Sequence, residues 1–218
     1  MNPVLPTLAA ILAACLYLVG LTLDLFWLKL LTKPWPVLGL ALAAWILAER
    51  DTGKWIAGGL VSGAIGDVCL ALPNAFLAGM LAFALGHACY VAAFIRWNRT
   101  SSVHLLAPVA AFSCTGLWLM WPGAGTFAYP LLAYILIISI MLWRAAACAM
   151  NTDSDLLRRW GPLAGALFFG FSDMLIGLNR FHQPIDGVAI PIILTYWAGQ
   201  GLIAASAIRR ASRGLPTA

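Results

Sequence analysis

Charge is scarce in this sequence. Thirteen basic and eight acidic residues among 218 amount to 10%, where soluble domains carry about 25%. So few charges cannot solvate the surface of a globule, and a soluble fold is excluded. Long polar segments are also lacking. The longest, Asn151 to Arg159, is one loop in which Asp153 and Asp155 sit in solvent. A soluble second domain does not fit, and residues 1–218 are read as a single domain. The five cysteines (Cys15, Cys69, Cys89, Cys114 and Cys148) show no CxxC spacing. They read as small buried hydrophobes rather than disulfides or metal ligands. There is no G-x-S-x-G, no H-E-x-x-H and no glycine-rich phosphate loop. No low-complexity segment and no basic, cleavable leader are present, so the first apolar run is taken as a span. The net charge of +5 reads as basic loops on one membrane face, with no nucleic-acid partner.

What is present is apolar. Hydrophobic residues make up 62% of the chain, and the mean hydropathy is +0.90. A span needs about 20 such residues. The pattern predicts an all-α, polytopic membrane protein with eight spans at 6–26, 34–49, 55–72, 75–96, 103–121, 126–148, 160–179 and 187–208. With eight spans, Arg50, Lys54, Arg96, Arg99, Arg144, Arg158, Arg159, Arg209, Arg210 and Arg213 share one side, and Lys29, Lys33 and Arg180 the other. The positive-inside rule then makes both termini cytoplasmic. Tryptophans 35, 55, 97, 121 and 160 mark span ends as an interfacial belt. The expected location is a bacterial inner (cytoplasmic) membrane, crossed many times.

Two carboxylates interrupt the apolar runs. Asp67 lies in SGAIGDVCLALPNAFLAGMLAFALGHACY (residues 62–90) and Asp173 in FGFSDMLIGLNRF (169–181). An acid inside a span costs about 2.5–3.5 kcal/mol and is a functional-site hypothesis by default. The plainer role for each is to satisfy a helix end or to pair with a buried base such as Lys33 or Arg180. Gly66-Asp67 and Ser172-Asp173 lie 106 residues apart, which suggests two four-helix parallel repeats. Each aspartate is expected about five residues from the outer end of its span, roughly 8 Å deep. Paired acids in a low-dielectric setting suit acid/base catalysis. His87 stands one turn from Tyr90, and Tyr196 shares a face with Gln200. These four are candidates for catalysis or substrate positioning, against core packing and interhelical hydrogen bonding. Asn74 and Arg180 each follow an aspartate by seven residues, on the same face. With Lys33 they could bind a polar headgroup, and Arg180 or Lys33 suits a phosphate. Two aspartates and a histidine could hold a metal, but no spacing demands one. No metal or cofactor is expected.

These motifs together resemble the YhhN/lysoplasmalogenase family. Lys33-Pro34, Gly66-Asp67, the pattern Phe76, Gly79, Phe83, His87, Tyr90, then Ser172-Asp173 with Phe181, and Tyr196-x-x-x-Gln200-Gly-Leu-Ile before Ser206 run in order through most of the chain. Gly199 departs from the alanine expected before Gln200. The resemblance implies an eight-span hydrolase that cleaves the vinyl ether bond of lysoplasmalogens to a fatty aldehyde and glycerophosphoethanolamine or glycerophosphocholine. Asp67 and Asp173 would be proton donor and carboxylate, His87, Tyr90, Tyr196 and Gln200 would position water and the ether, and Lys33 and Arg180 would hold the phosphate. The expected partners are the lysophospholipid substrate and membrane lipids. The competing class is a proton-coupled transporter or lipid-binding protein, which also uses paired intramembrane acids. Short loops and few helix breakers within spans weigh against it.

Overall fold

The computed structural model describes residues 4–100 and 103–211, with side chains from residue 8 onward. Arg213 and both chain ends, on which part of the charge argument rests, lie outside the described residues. Within them every regular element is helical: α1 (Val4–Thr22), α2 (Phe26–Thr32), α3 (Trp35–Leu47), α4 (Arg50–Ala71), α5 (Phe76–Trp97), α6 (Leu106–Ala124), α7 (Ala128–Ala149), α8 (Leu156–Phe181) and α9 (Ala189–Ala211). The all-helical class is as expected.

Among the described residues six stretches, rather than eight, are long and apolar enough to cross a bilayer. The difference lies at two places. Apolar α1 qualifies only over Leu8–Thr22, which is short, and Val103–Ala149 counts as one stretch of 47 residues. That stretch breaks at Gly125, whose φ of 51° favours glycine, and α6 and α7 on its two sides pack against each other. The chain is thus built as a multi-pass integral membrane protein.

An unexpected element is α2, seven residues in what the sequence suggested was a loop. Asp24 takes φ 51°, and the Leu25 amide bonds back to the Gly20 carbonyl at 2.9 Å. This is a left-handed close to α1 that turns α2 back onto it. Gly20 makes room, since a Cβ there would lie 3.2 Å from Lys29 Cγ.

The helices meet through small residues, as expected where lipid offers no hydrophobic drive between apolar surfaces. At the α8–α9 crossing, a Cβ on Gly165 would lie 2.8 Å from the Gly199 carbonyl oxygen, and one on Gly199 would lie 2.8 Å from that of Gly165. Close backbone approach therefore explains glycine at 199. The core runs from Val37 and Ala44 of α3 through Ile56 and Leu60 of α4 and Phe83 and Phe94 of α5 to Met141, Phe169 and Ile203.

One end of the bundle is basic. Arg158 pairs with Asp153 at 2.9 Å and Arg209 with Asp155 at 2.8 Å, so these two aspartates are ion-paired rather than merely solvated. Arg210 stacks over Trp97 and Arg96 over Trp55. Arg144 departs from its expected loop position. It lies inside α7, is buried, and donates to the Asn98 carbonyl. The five cysteines are unpaired, but only Cys148 is buried. Cys15 and Cys114 lie on outward surfaces of α1 and α6, where lipid suits a thiol as well as a core does.

Candidate functional site

Asp67 sits four residues from the end of α4 and is 2% exposed. Lys33, which ends α2 just before Pro34, reaches inward and places Nζ 3.1 Å from Asp67 Oδ1. The plainer role considered for this acid, pairing with a buried base, is therefore realised. It does not satisfy the whole group, because Asp67 Oδ2 is buried and makes no hydrogen bond of good geometry. Tyr196 and Gln200 come side by side from α9, as their four-residue spacing predicts. Both fit because position 63 is glycine: a Cβ there would lie 2.8 Å from the Tyr196 hydroxyl and 2.9 Å from Gln200 Nε2. The Tyr196 hydroxyl, beside Asp67, and Gln200 Nε2 make no hydrogen bond of good geometry. Gln200 Oε1 accepts from the Tyr90 hydroxyl at 2.5 Å. Tyr90 is thus a buried anchor between α5 and α9.

Asp173 has different company. Its Oδ2 lies 2.9 Å from His87 Nε2 of α5 and accepts from the Tyr134 hydroxyl of α7 at 3.0 Å. His87 Nε2 and the Tyr134 hydroxyl are 3.3 Å apart. Among the described residues no lysine or arginine lies within ion-pair distance of Asp173. His87 is fully buried, its ring tilted against Phe169 at 4.5 Å, and its Nδ1 has no partner. The two acids therefore differ in kind, one held by a cation and the other by a histidine and a phenol.

An apolar cavity borders Asp173. It lies among α4, α5, α6, α7 and α8, and Asp173 and Tyr134 are part of its wall. Nearly all the remaining wall is apolar, including Phe76, Met120, Leu131 and Phe181. Asp67 is not in that wall. Phe83 is, and a Cβ on Gly66 would lie 2.6 Å from its ring. Phe83 thus packs between the cavity and Gly66, while Leu70, three residues after Asp67 on the same helix, is itself in the wall.

Three candidate placements change. The α8 helix continues to Phe181, so Asp173 lies eight residues from its end, about 12 Å at 1.5 Å per residue. It lies farther from its helix end than Asp67, because α4 stops at Ala71, just before Pro73-Asn74, while α8 runs on to Phe181. Asn74 lies beyond α4, exposed in a turn at φ 60°, and so is not on a helical face with Asp67. Arg180 does share the α8 face with Asp173. It is exposed, and its guanidinium lies 5.1 Å from the centre of the Phe76 ring, at the edge of the cavity. Lys33 is turned inward rather than standing free at a rim. Tyr134 was not foreseen: it belongs to no motif, and a lone phenol in an apolar helix is the only signal the sequence offered.

Fold and site together define a multi-pass helical membrane protein with ionisable groups gathered beside an internal apolar cavity. The chain belongs to the YhhN family, whose family model matches residues 28–207. It is 35% identical over 187 residues to the human protein named lysoplasmalogenase TMEM86B, covering 85% of this chain and 78% of that one. It is 35% identical over 184 residues to the pig TMEM86B lysoplasmalogenase, with 83% and 75% covered. Against the Mycobacterium tuberculosis lysoplasmalogenase it is 32% identical over 162 residues, with 70% and 59% covered. No solved structure matches the chain.

Proposed function

We propose that this protein is a lysoplasmalogenase, hydrolysing the vinyl ether of a lysoplasmalogen to a fatty aldehyde and a glycerophosphoethanolamine or glycerophosphocholine. The observation that carries this reading is the position of Asp173 in the wall of an apolar cavity, with no lysine or arginine paired to it among the described residues. Vinyl ethers are cleaved by protonation of the β-carbon, which leaves an oxocarbenium ion for water to attack. The logic is that of glycoside hydrolysis, with one carboxylic acid giving the proton and one carboxylate opposing the positive charge. In our reading Asp173 gives the proton, because the alkenyl chain lies in its cavity. Asp67 stays a carboxylate beside Lys33 and stabilises the cation. Its Oδ2, with Tyr196 and Gln200, offers donors and acceptors for the attacking water. Arg180 at the cavity edge holds the phosphate, Lys33 serves Asp67 first, and Tyr90 steadies Gln200. Asn74 has a place only at the headgroup side. His87 holds Asp173.

The same proposal extends to the frame. Counting α1 with α3 to α9 gives eight crossings in one domain, residues 1–218, with both termini cytoplasmic in a bacterial inner membrane. The pairs α4–α5 and α8–α9, each carrying one aspartate on its first helix, support two parallel four-helix halves.

The test is aldehyde release from lysoplasmenylethanolamine by the purified, detergent-solubilised protein, beside Asp67→Asn and Asp173→Asn. Wild-type turnover, with both folded variants slower by about a hundredfold, supports the assignment. No aldehyde from wild type would sink it and turn attention to transport.

A further inference from the structure

We propose that Tyr134 is a positioning residue for this reaction: with His87 it occupies one oxygen of Asp173 and so consigns the acid proton to the other. The inference rests on the hydrolase reading above. Both groups converge on Oδ2, Tyr134 at 3.0 Å and His87 at 2.9 Å. They arrive from α7 and α5, two helices that pack against each other. The Tyr134 hydroxyl donates to Oδ2, so that oxygen acts as an acceptor. An oxygen already accepting from Tyr134 is a poor seat for the carboxyl's own proton. The proton therefore belongs on Oδ1, the oxygen left for the substrate in a cavity whose wall includes both Asp173 and Tyr134.

The step then balances. The Oδ1–H bond breaks, and its proton bonds to the β-carbon of the vinyl ether through the π pair of the double bond. The adjacent carbon becomes an oxocarbenium ion and Asp173 a carboxylate. Water forms a bond to that carbon and loses a proton, which restores the acid. The hemiacetal opens, its hydroxyl proton passing to the departing glycerol oxygen, and aldehyde and alcohol result with no change of oxidation state overall. Tyr134 does not touch the reacting carbon in this scheme and acts through the carboxyl group.

The plainer role for a buried tyrosine is to give its hydroxyl whatever acceptor lies nearby, and the experiment separates the two. Tyr134→Phe keeps the ring and removes one oxygen. In the full-length solubilised protein, with lysoplasmenylethanolamine as substrate, kcat is expected to fall about ten- to hundredfold, the range for a lost hydrogen bond to a charged group. KM should stay within about twofold and thermal stability should barely change. A purely structural tyrosine would give lower stability at an unchanged kcat per folded molecule, which overturns the proposal. Should Tyr134→Phe fail to fold, 3-fluorotyrosine at 134 keeps the hydroxyl and alters only its donor strength. A changed kcat at constant KM then supports the proposal, and an unchanged kcat overturns it. If wild type releases no aldehyde, the hydrolase reading fails and this proposal falls with it. Normal wild-type turnover with an undiminished Tyr134→Phe defeats this proposal alone.

Discussion

Lys33 and Asp67 form an ion pair inside the helix bundle, with Nζ 3.1 Å from Oδ1 and side chains only 15% and 2% exposed. The pair joins the end of α2 to the site-bearing part of α4. Buried pairs of this kind are costly to break from one side, because the remaining charge is left in a low-dielectric setting.

Replacing Lys33 with Met strands the Asp67 carboxylate and is expected to destabilise the protein by about 3–5 kcal/mol. The double variant Lys33→Met/Asp67→Leu should recover much of that loss yet release no aldehyde. Denaturation in detergent beside a turnover assay checks both halves. Equal stability of the single variant and wild type would mean that the pair contributes nothing to the fold.

Tyr90 gives its hydroxyl to Gln200 Oε1 at 2.5 Å, with both residues fully buried. Tyr90→Phe leaves that acceptor unpaired, a loss of about 1–3 kcal/mol in stability. If Tyr90 is an anchor, kcat and KM change little. A large rise in KM with stability intact would instead place Tyr90 against the substrate.

Two methionines and two glycines interlock α6 with α8 in the cavity wall. Met120 lies over Gly177, and Met174 lies over Gly116 with Cε 2.5 Å from where a Cβ would stand. Met120→Ala should lengthen the space open to the alkenyl chain and shift the preferred chain length upward, at a stability loss of at most about 2–5 kcal/mol. Gly116→Ala should push Met174 into the cavity and favour shorter chains. Turnover across a chain-length series reads both shifts, and identical profiles in all three proteins would exclude this cavity as the chain site.

Asp155 precedes α8 outside the apolar spans and accepts from the amides of Leu157 and Arg158, each at 3.1 Å. The Arg158 amide first, and the Arg209 side chain second, hold its carboxyl below the usual range. A lowered pKa in the folded state means that its stabilising contribution is present above the unfolded carboxylate value of about 3.9. The contribution is lost as pH falls through the folded value. Asp155→Ala should therefore lower the melting temperature at neutral pH, and its deficit relative to wild type should shrink as pH is taken down through the acid range. A deficit independent of pH would mean that the charge is immaterial there.

Much of this was legible in the chain itself. Scarce charge and long apolar runs determine an all-helical membrane protein, because a bilayer permits few other ways to satisfy a backbone. Asp67, Asp173 and His87 stood out because an ionisable group in an apolar run is expensive enough to need a reason. Gln200 beside Tyr196 followed from helical spacing alone. Which acid meets which partner did not follow. Lys33 could be read as a phosphate-binding rim cation or as a buried partner for an aspartate, and only the tight close at Asp24, which folds α2 inward, aims it at Asp67. Tyr134 carries no motif, and only the packing of α7 between α5 and α8 brings its hydroxyl to Asp173. The cavity draws its walls from helices far apart in sequence, and whether a given phenylalanine borders it depends on how those helices cross. Sequence periodicity places residues on a helix face. Contact between faces depends on backbone approach at such points as Gly63, Gly66 and Gly165, and that is settled only in three dimensions.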